Sequence, residues 1–151
     1  MSMFSAFDIN ASGMTAERFR MDTISENVAN ASTTRTEDGT PYRRKVVTFE
    51  QKGDQTPFSR VLDKARGVYS GYSGQGVKVS GVYEDTWTEN KLVYDPSHPD
   101  ADENGYVEYP NVNIITEMTN LIDASRAYEA NSTAFNASKS MALKGLQMTS
   151  N

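Results

Sequence analysis

The last third of the chain carries a sequence repeat that predicts a helix longer than the diameter of any compact domain this chain could form. Between Asn113 and Thr149 there is no proline and only one glycine, so nothing interrupts a helix there. Such a helix would be about 55 Å long, whereas a compact chain of 151 residues is roughly 40 Å across. The predicted C-terminal helix must therefore project and pack against something beyond a core of its own.

The repeat itself has a period of seven residues. One row consists of Ile114, Leu121, Tyr128, Phe135 and Ala142, and a second row follows each of these after four residues, at Met118, Ser125, Ser132, Lys139 and Leu146. Ile115, Ile122 and Leu143 widen the stripe. This spacing is typical of a coiled-coil seam diluted with small polar residues. Pro110 stops any helix upstream, and either Asn111 or Asn113 is predicted to cap the start.

A second amphipathic segment lies at the other end of the chain. Apolar residues recur there every seven positions, at Phe7, Met14, Met21 and Val28, and predict a helix from Asp8 to Ala31. The short polar residues from Asn27 onward compete with helical hydrogen bonds and should end it there. Two interpretations stay open: the terminal helices pair within one chain on a small β-domain, or they form a coiled coil between chains. The surplus length and apolar positions of the C-terminal helix favour packing between chains.

Composition limits how much core the folded chain can have. Leu, Ile, Val and Phe supply 27 of 151 residues, about 18%, below the ~20% that accompanies disorder. The net charge of only −5 is too small for a plain disordered tail. A pI near 4.9 argues against nucleic acid as a partner, and Arg43-Arg44-Lys45 is interpreted as a solvated face. The chain should be marginal alone and gain order from a partner.

The middle of the chain has a different character from its flanks. All five prolines and eight of the ten glycines lie between Gly39 and Pro110, which favours strands and turns. Strands are predicted at 43–50, 77–82, 91–95 and 105–109, with a bulge near Gly81 where the alternation changes parity, and a short helix is predicted at 58–65. The fold class is therefore α+β, divided into residues 1–35, 36–112 and 113–151.

Two chemical alternatives arise from the central region. Asp100, Asp102 and Asn104 followed by Gly105, with Glu108 beyond, match the first half of a calcium-binding loop. The twelfth position, where a bidentate Glu belongs, is Asn111, and prolines forbid the entering helix, so an acidic turn is the preferred interpretation. A small hydrolase using Asp95 and Glu108 is the other alternative, since two carboxylates can supply acid and base.

Other classes of function have little support in the sequence. The chain has no cysteine, and its single histidine, His98, lies in an acidic loop without a second imidazole to share a metal ion. We therefore predict no catalytic residue, no cofactor and no metal. No stretch approaches the ~20 apolar residues needed to span a bilayer, so membrane insertion is not expected. The first ten residues carry no positive charge, which argues against a secretory signal.

Several motifs resemble those of one family, the axial proteins of the bacterial flagellum, which build its rod and hook. At the N-terminus they are Ser12-Gly13-Met14-Thr15-Ala16, Arg20-Met21-Asp22 and Asn27-Val28-Ala29-Asn30-Ala31-Ser32-Thr33. At the C-terminus they are Met118, Leu121-Ile122 and the run from Ala124 to Asn131. Between them, Leu92-Val93-Tyr94-Asp95-Pro96, His98-Pro99, Ala101-Asp102, Gly105-Tyr106-Val107 and Pro110-Asn111-Val112-Asn113 resemble the proximal-rod members in particular. Met14 stands where the family more often has Leu, and Glu26 where it often has Asn.

The resemblance implies a structural subunit of the flagellar basal body rather than an enzyme. It implies export as an unfolded chain through the flagellar type III channel and helical polymerisation through the terminal helices. The implied partners are further copies of itself, other rod subunits, the basal-body ring or adaptor and the export apparatus. The predicted assembly interface comprises Phe7, Met14, Met21, Ile24, Asn27, Val28, Asn30, Ile114, Met118, Leu121, Ile122, Tyr128, Phe135 and Leu146.

Overall fold

Two long helices enclose four short strands in the chain order α1-β1-β2-β3-β4-α2. The structure, a computed structural model, describes residues 3–52 and 74–149 and, between them, residues 62 and 65–67. The predicted helix at 58–65 lies largely outside the described residues. Helix α1 spans Met3–Ala29 and α2 spans Ile114–Thr149. The α+β class and the pairing of the two terminal helices are confirmed.

Hydrogen bonds of asparagine side chains mark the C-terminal end of α1 and the N-terminal end of α2. In α1, the Asn30 amide group donates to the Glu26 carbonyl at 3.0 Å, and Thr33 N–H donates to the Asn30 carbonyl, so the chain turns out of the helix just after Ala29. In α2, Asn113 Oδ1 accepts from the backbone N–H groups of Ile115 and Thr116. Asn113 is therefore the N-cap. Helix α1 begins five residues earlier than predicted.

The strands form two separate two-stranded antiparallel sheets. Strand β1, Lys45–Gln51, pairs with β2, Val77–Glu84, and β3, Lys91–Tyr94, pairs with β4, Tyr106–Tyr109. Thr48 faces Gly81 whereas Phe49 faces Val79, which leaves Ser80 as the extra residue of a β-bulge. The bulge that the change of parity at Gly81 predicted is therefore confirmed.

A serine of α1 fixes the first sheet against the helix. Ser12 Oγ donates to the carbonyl of Ile9 at 2.7 Å and accepts from the backbone N–H of Val77 at 3.1 Å. Gly76 precedes this contact with a φ of +80°, and a Cβ added there would overlap Ser12 Oγ. The contact explains why glycine stands at position 76, since a side chain would meet both a strained backbone and a clash.

Replacing Gly76 with alanine is expected to lower the free energy of unfolding by about 2–3 kcal/mol. The positive φ and the loss of the Ser12 hydrogen bond both contribute. Gly39→Ala is the matched control, because Gly39 has a φ of +77° but nothing within 4 Å of the added Cβ. It isolates the backbone cost of about 1 kcal/mol. Equal losses for the two variants in urea titrations would contradict the contact with Ser12.

The apolar core of the chain is small. Among the residues that the structure describes, the buried apolar ones are Ala16, Ile24, Tyr42, Val107, Pro110 and Ala124. Three buried residues are polar or charged, and two of these belong to the cluster described below. The shortage of core seen in the composition is thus present in the fold, and the helix pair provides most of what core there is.

Candidate assembly interface

The side of α2 that faces the rest of the chain follows alternating steps of four and three residues. The buried or half-buried positions that follow this step are Glu117, Leu121, Ala124, Tyr128, Asn131, Phe135, Ser138, Ala142 and Gly145. The first predicted row agrees with this from Leu121 to Ala142. The second row is off by one residue within the chain, because Met118, Lys139 and Leu146 are exposed. The positions that replace the second row are polar or small, so their hydrophobicity did not identify them in the sequence. They are Glu117, Ala124, Asn131, Ser138 and Gly145.

The two helices run antiparallel and approach closely. The Phe7 and Phe135 rings pack edge to face with centroids 5.1 Å apart. Farther along, a Cβ added at Gly13 would lie 3.0 Å from the Asn131 side chain. Ala16 and Ala124 are both buried, and their small side chains permit this closeness. The cost of Gly13 within a helix, about 1 kcal/mol, is therefore offset by packing.

At the other end of the helix pair, Asn27 is the centre of a buried polar cluster. Its Nδ2 group donates to the Lys45 carbonyl at 2.8 Å and to Glu117 Oε2 at 3.0 Å. Its Oδ1 accepts from Tyr42 OH and from Lys45 N–H, both at 2.9 Å. Asn27 is only 1% exposed. One amide side chain thereby ties α1 to α2 and to the start of β1 with its full hydrogen-bonding capacity.

Glu117 brings a charge into the same cluster. It is also 1% exposed, and its Oε1 accepts from Arg44 Nε at 2.8 Å. Arg44 additionally lies 3.8 Å from Asp85 Oδ2. A carboxylate this deeply buried needs a charged partner as well as hydrogen bonds. The prediction that Arg43–Lys45 is a solvated face is therefore wrong for Arg44, whose partners lie far away in sequence.

Asn111 joins the cluster to the loop between β2 and β3. Its Oδ1 accepts from Arg44 N–H at 2.8 Å, and its Nδ2 donates to the carbonyls of Asp85 and Thr88. Hydrogen bonds from the backbone and side chain of Thr88 lower the pKa of Asp85, with smaller contributions from Trp87 N–H and Arg44. Asn111 therefore holds the segment before α2 against the start of β1 and the β2–β3 loop through hydrogen bonds, whereas Asn113 caps the helix.

The Tyr42 hydroxyl gives the cluster a pH dependence. Burial, reinforced by Glu26, Glu84 and Glu117, raises the pKa of Tyr42 to about 12 from 10.0. Because the folded state holds this proton more tightly, its contribution to stability is complete below pH 10.0 and declines toward pH 12. We expect Tyr42→Phe to be about 1 kcal/mol less stable near neutral pH but to lack this alkaline decline.

Urea titrations of both proteins from neutral pH upward test the assignment of Tyr42. The gap in unfolding free energy should narrow above pH 10.0, the ordinary pKa of the phenol. Tyr128→Phe is the control, since Tyr128 lies on the helix seam outside the cluster. A constant gap between wild type and Tyr42→Phe at every pH would contradict the raised pKa.

The exposed apolar side chains of α2 form two groups. The first, at its N-terminal end, consists of Ile114, Ile115, Met118 and Ile122, and the second, at its C-terminal end, consists of Met141, Leu143, Leu146 and Met148. Members of the second group are 52–80% exposed. Exposed groups of large apolar residues mark interaction surfaces. Both groups lie on the helix whose length indicated packing beyond the chain's own core.

The residues of the predicted assembly interface therefore divide into an inner and an outer set. Those in the interior or at the boundary between helices are Phe7, Met14, Met21, Ile24, Asn27, Val28, Asn30, Leu121, Tyr128 and Phe135. Those exposed in the single chain are Ile114, Met118, Ile122 and Leu146. The structure brings the inner set together within one chain, and contact between chains stays a prediction for both sets. Sequence reasoning missed Glu117 as a buried residue, although its four-residue spacing from Leu121 was a signal.

Two carboxylates of the loop that resembles half of a calcium site are hydrogen-bonded to other groups of the chain. Asp102 Oδ1 accepts from the backbone N–H groups of Asn104 and Tyr106. Asp100 accepts from Thr34 Oγ1 and lies 3.6 Å from Arg35. Within the described part of the chain, no three His, Cys, Asp or Glu side chains are grouped so as to hold a metal ion. The loop is the connection between β3 and β4.

The hydrolase alternative likewise finds no support in the geometry. Hydrogen bonds from the side chain and backbone of Ser97 lower the pKa of Asp95, whereas a general acid needs a raised one. Glu108 accepts from Asn90 Nδ2 at 2.8 Å and is exposed. Each of the two carboxylates therefore accepts hydrogen bonds from a residue next to the second sheet, Ser97 for Asp95 and Asn90 for Glu108.

Comparison with known proteins places the two helices in one class. Residues 7–35 match the family model of the flagella basal body rod protein. Residues 103–148 match that of the flagellar basal body rod FlgEFG protein C-terminal region. These segments contain most of α1 and nearly all of α2, the elements that form the seam and the cluster. The class that the fold and its matches define is that of flagellar basal-body rod proteins.

Individual relatives narrow the class further. The chain is 45% identical to the flagellar basal-body rod protein FlgC of Bacillus subtilis, over 98% of this chain and 99% of the relative. It is 47% identical to FlgC of Borreliella burgdorferi over 93% of each, and 41% identical to FlgC of Salmonella typhimurium over 98% of each. The chain belongs to the FlgC family of flagellar basal-body rod proteins. None of the helices in its described residues is long and apolar enough to cross a membrane.

Proposed function

We propose that the chain is a structural subunit of the proximal rod of the flagellar basal body, polymerising helically through its terminal helices into the drive shaft that crosses the periplasm. The observation that carries this proposal is α2, which exposes eight large apolar side chains at its two ends. Burying such surface between subunits is favourable at about 25 cal/mol per Å². The FlgC relatives along nearly the whole chain support the same function.

The proposed subunit has no catalytic activity. Its buried carboxylate, Glu117, is paired with Arg44 and Asn27. Asp85, Asp95 and Asp102 accept hydrogen bonds within their own turns. These groups stabilise the fold, which is the role that a shaft subunit requires of them. The proposed partners are further copies of the chain, other rod subunits, the basal-body ring or adaptor and the export apparatus.

The small core fits export as an unfolded chain through the flagellar type III channel. A domain with few buried apolar residues has little stability to lose before it passes through a narrow channel. The same shortage is made good on assembly, when exposed apolar side chains of α2 are covered by neighbouring subunits. The proposal therefore gives one physical cause to the composition and to the exposed helix ends.

Deletion of the gene in its own organism tests the proposed function. The expected result is a non-motile strain that lacks complete rods, restored by the wild-type gene, with the chain present in purified basal bodies. Replacing the FlgC gene of Bacillus subtilis with this one is a second arm. Normal motility and complete rods in the deletion strain would overturn the proposal.

A further inference from the structure

The loop between β3 and β4 ends in Asn104-Gly105, the one place in the chain where glycine follows asparagine. In such a pair the backbone nitrogen of the glycine can attack the side-chain amide carbon of the asparagine, because no Cβ stands beside that nitrogen. Asn104 is exposed. Within the described part of the chain it is held through its backbone N–H, and no hydrogen bond to its side-chain amide is found. The amide carbon of Asn104 is therefore open to attack from its own chain.

The fold itself requires glycine at position 105. Gly105 has a φ of +81°, a left-handed conformation that side chains other than that of glycine rarely adopt. A Cβ added there would also lie 3.0 Å from the ring of Tyr94 and 3.1 Å from the ring of Pro96. Backbone and neighbouring rings thus both exclude a side chain. The turn therefore keeps, directly after Asn104, the residue that leaves the attacking nitrogen least hindered.

Asp102 holds this turn closed in the folded chain. Its backbone carbonyl accepts from the N–H of Gly105 at 3.0 Å, and its own N–H donates to the carbonyl of Tyr106 at 2.8 Å. Its side-chain Oδ1 accepts from the N–H groups of Asn104 at 2.9 Å and of Tyr106 at 2.7 Å. The nitrogen that would attack is therefore engaged in a hydrogen bond, and the N–H groups on both sides of it are held by one carboxylate. The attack requires the turn to open.

We propose that Asn104 is a site of spontaneous deamidation, which the hydrogen bonds of Asp102 suppress while the chain is folded. The backbone nitrogen of Gly105 forms a bond to Cγ of Asn104, the Cγ–Nδ2 bond breaks, and ammonia leaves with the proton of the Gly105 N–H. Water then opens the resulting succinimide ring. Attack of water at Cγ gives aspartate, and attack at the main-chain carbonyl carbon gives isoaspartate, in which the chain runs through Cγ. The reaction needs water as its only co-reactant and is independent of the proposed rod function.

Both products change the turn in which they form. Each adds a negative charge close to the carboxylate of Asp102. Isoaspartate also adds a methylene group to the main chain between position 104 and Gly105, whereas the hydrogen bonds of Asp102 to Gly105 and Tyr106 span this segment. Their lengths depend on the number of main-chain atoms between donor and acceptor, so the isoaspartate form should open more often. Deamidation is thus expected to loosen the end of the β3–β4 pair.

Incubation of the purified full chain at mildly alkaline pH, in buffer and in concentrated urea, tests the site and its protection. Tandem mass spectrometry of the peptide that contains position 104 measures the rate of deamidation. Asp102→Ala should raise this rate in buffer by about tenfold or more, because the closed turn loses hydrogen bonds to a charged acceptor. It should leave the rate in urea unchanged, since no turn protects the unfolded chain. Asp102→Asn is the matched control, because its side-chain oxygen can still accept, and it should stay close to wild type in buffer.

Asn136 is the reference within the same samples, because it is exposed on α2 and followed by Ala137, whose Cβ hinders the attack. If Asn104 keeps its amide in urea for as long as Asn136 does, Asn104 is not a deamidation site. Equal rates at Asn104 in buffer and in urea for wild type would overturn the protection by the turn. Amide hydrogen exchange of wild type gives a second measurement, which does not depend on the folding of any variant. Exchange at Gly105 should be slowed by the same factor as deamidation, and unprotected exchange there would also overturn the role of Asp102.

Discussion

Asn27→Asp is expected to lower the free energy of unfolding at neutral pH by more than about 3 kcal/mol. The substitution keeps the shape of the side chain but turns the Nδ2 donor, 3.0 Å from Glu117 Oε2, into an acceptor. Two carboxylates would then face each other in a site that is 1% exposed, and the Lys45 carbonyl would lose its donor. Uncompensated buried charge is among the costliest of single changes.

The pH dependence of this variant distinguishes charge from shape. Burial and the like charge beside it raise the pKa of the new carboxyl group at position 27. The lost stability should therefore return as the pH falls toward the ordinary carboxyl range and that group binds a proton. Asn136→Asp is the control, because Asn136 is exposed on α2 and its substitution should change stability by less than ~0.5 kcal/mol. Equal urea midpoints for wild type and Asn27→Asp at neutral pH would rule out the cluster.

Leu146→Glu is expected to weaken assembly by about ten- to a hundredfold while leaving the folded monomer intact. Leu146 is exposed near the C-terminal end of α2, so its removal costs the monomer at most about a few tenths of a kcal/mol. If it is buried between subunits, the lost transfer free energy is about 1.5–3 kcal/mol, and the new charge must also be desolvated. Sedimentation velocity and motility of a complemented strain measure the loss.

Phe135→Ala and Thr133→Glu are the comparison variants for Leu146→Glu. Phe135 packs on Phe7 within the chain, so its truncation should destabilise the monomer by about 3 kcal/mol as well as impair assembly. Thr133 is exposed on α2 between its two groups of exposed apolar side chains, and its substitution should change neither the stability of the monomer nor assembly. Normal assembly of Leu146→Glu would show that the exposed apolar group at the C-terminal end of α2 is not an assembly surface.

The two ends of the helix pair are held together in different ways. At one end, Asn27 and Glu117 join the helices to the strands with specific hydrogen bonds, which penalise any other alignment. Toward the other end, the rings of Phe7 and Phe135 pack edge to face. Large apolar side chains of α2 are exposed at both ends, and the proposed function assigns them to contacts with neighbouring subunits.

The sequence alone predicted the elements that depend on local pattern. Three such features are the absence of proline from residues 113–149, the parity change at Gly81 and the polar run after Asn27. They depend on spacing and backbone preference, and the structure confirms the element that each one predicted. The family also followed from short motifs within these segments. Such features are encoded over a few residues at a time, so they can be interpreted without knowing what lies opposite them.

What only the tertiary structure decided is which polar residues face inward. Glu117, Arg44 and Asn27 have the composition of a solvated surface, yet they meet across 90 residues of sequence in one buried cluster. The inner row of α2 likewise shifted by one position, from Met118 to Glu117, because small and polar residues let the helices approach closely. A buried polar group is stable only through partners that are distant in the chain, so its place becomes evident once those partners are in position.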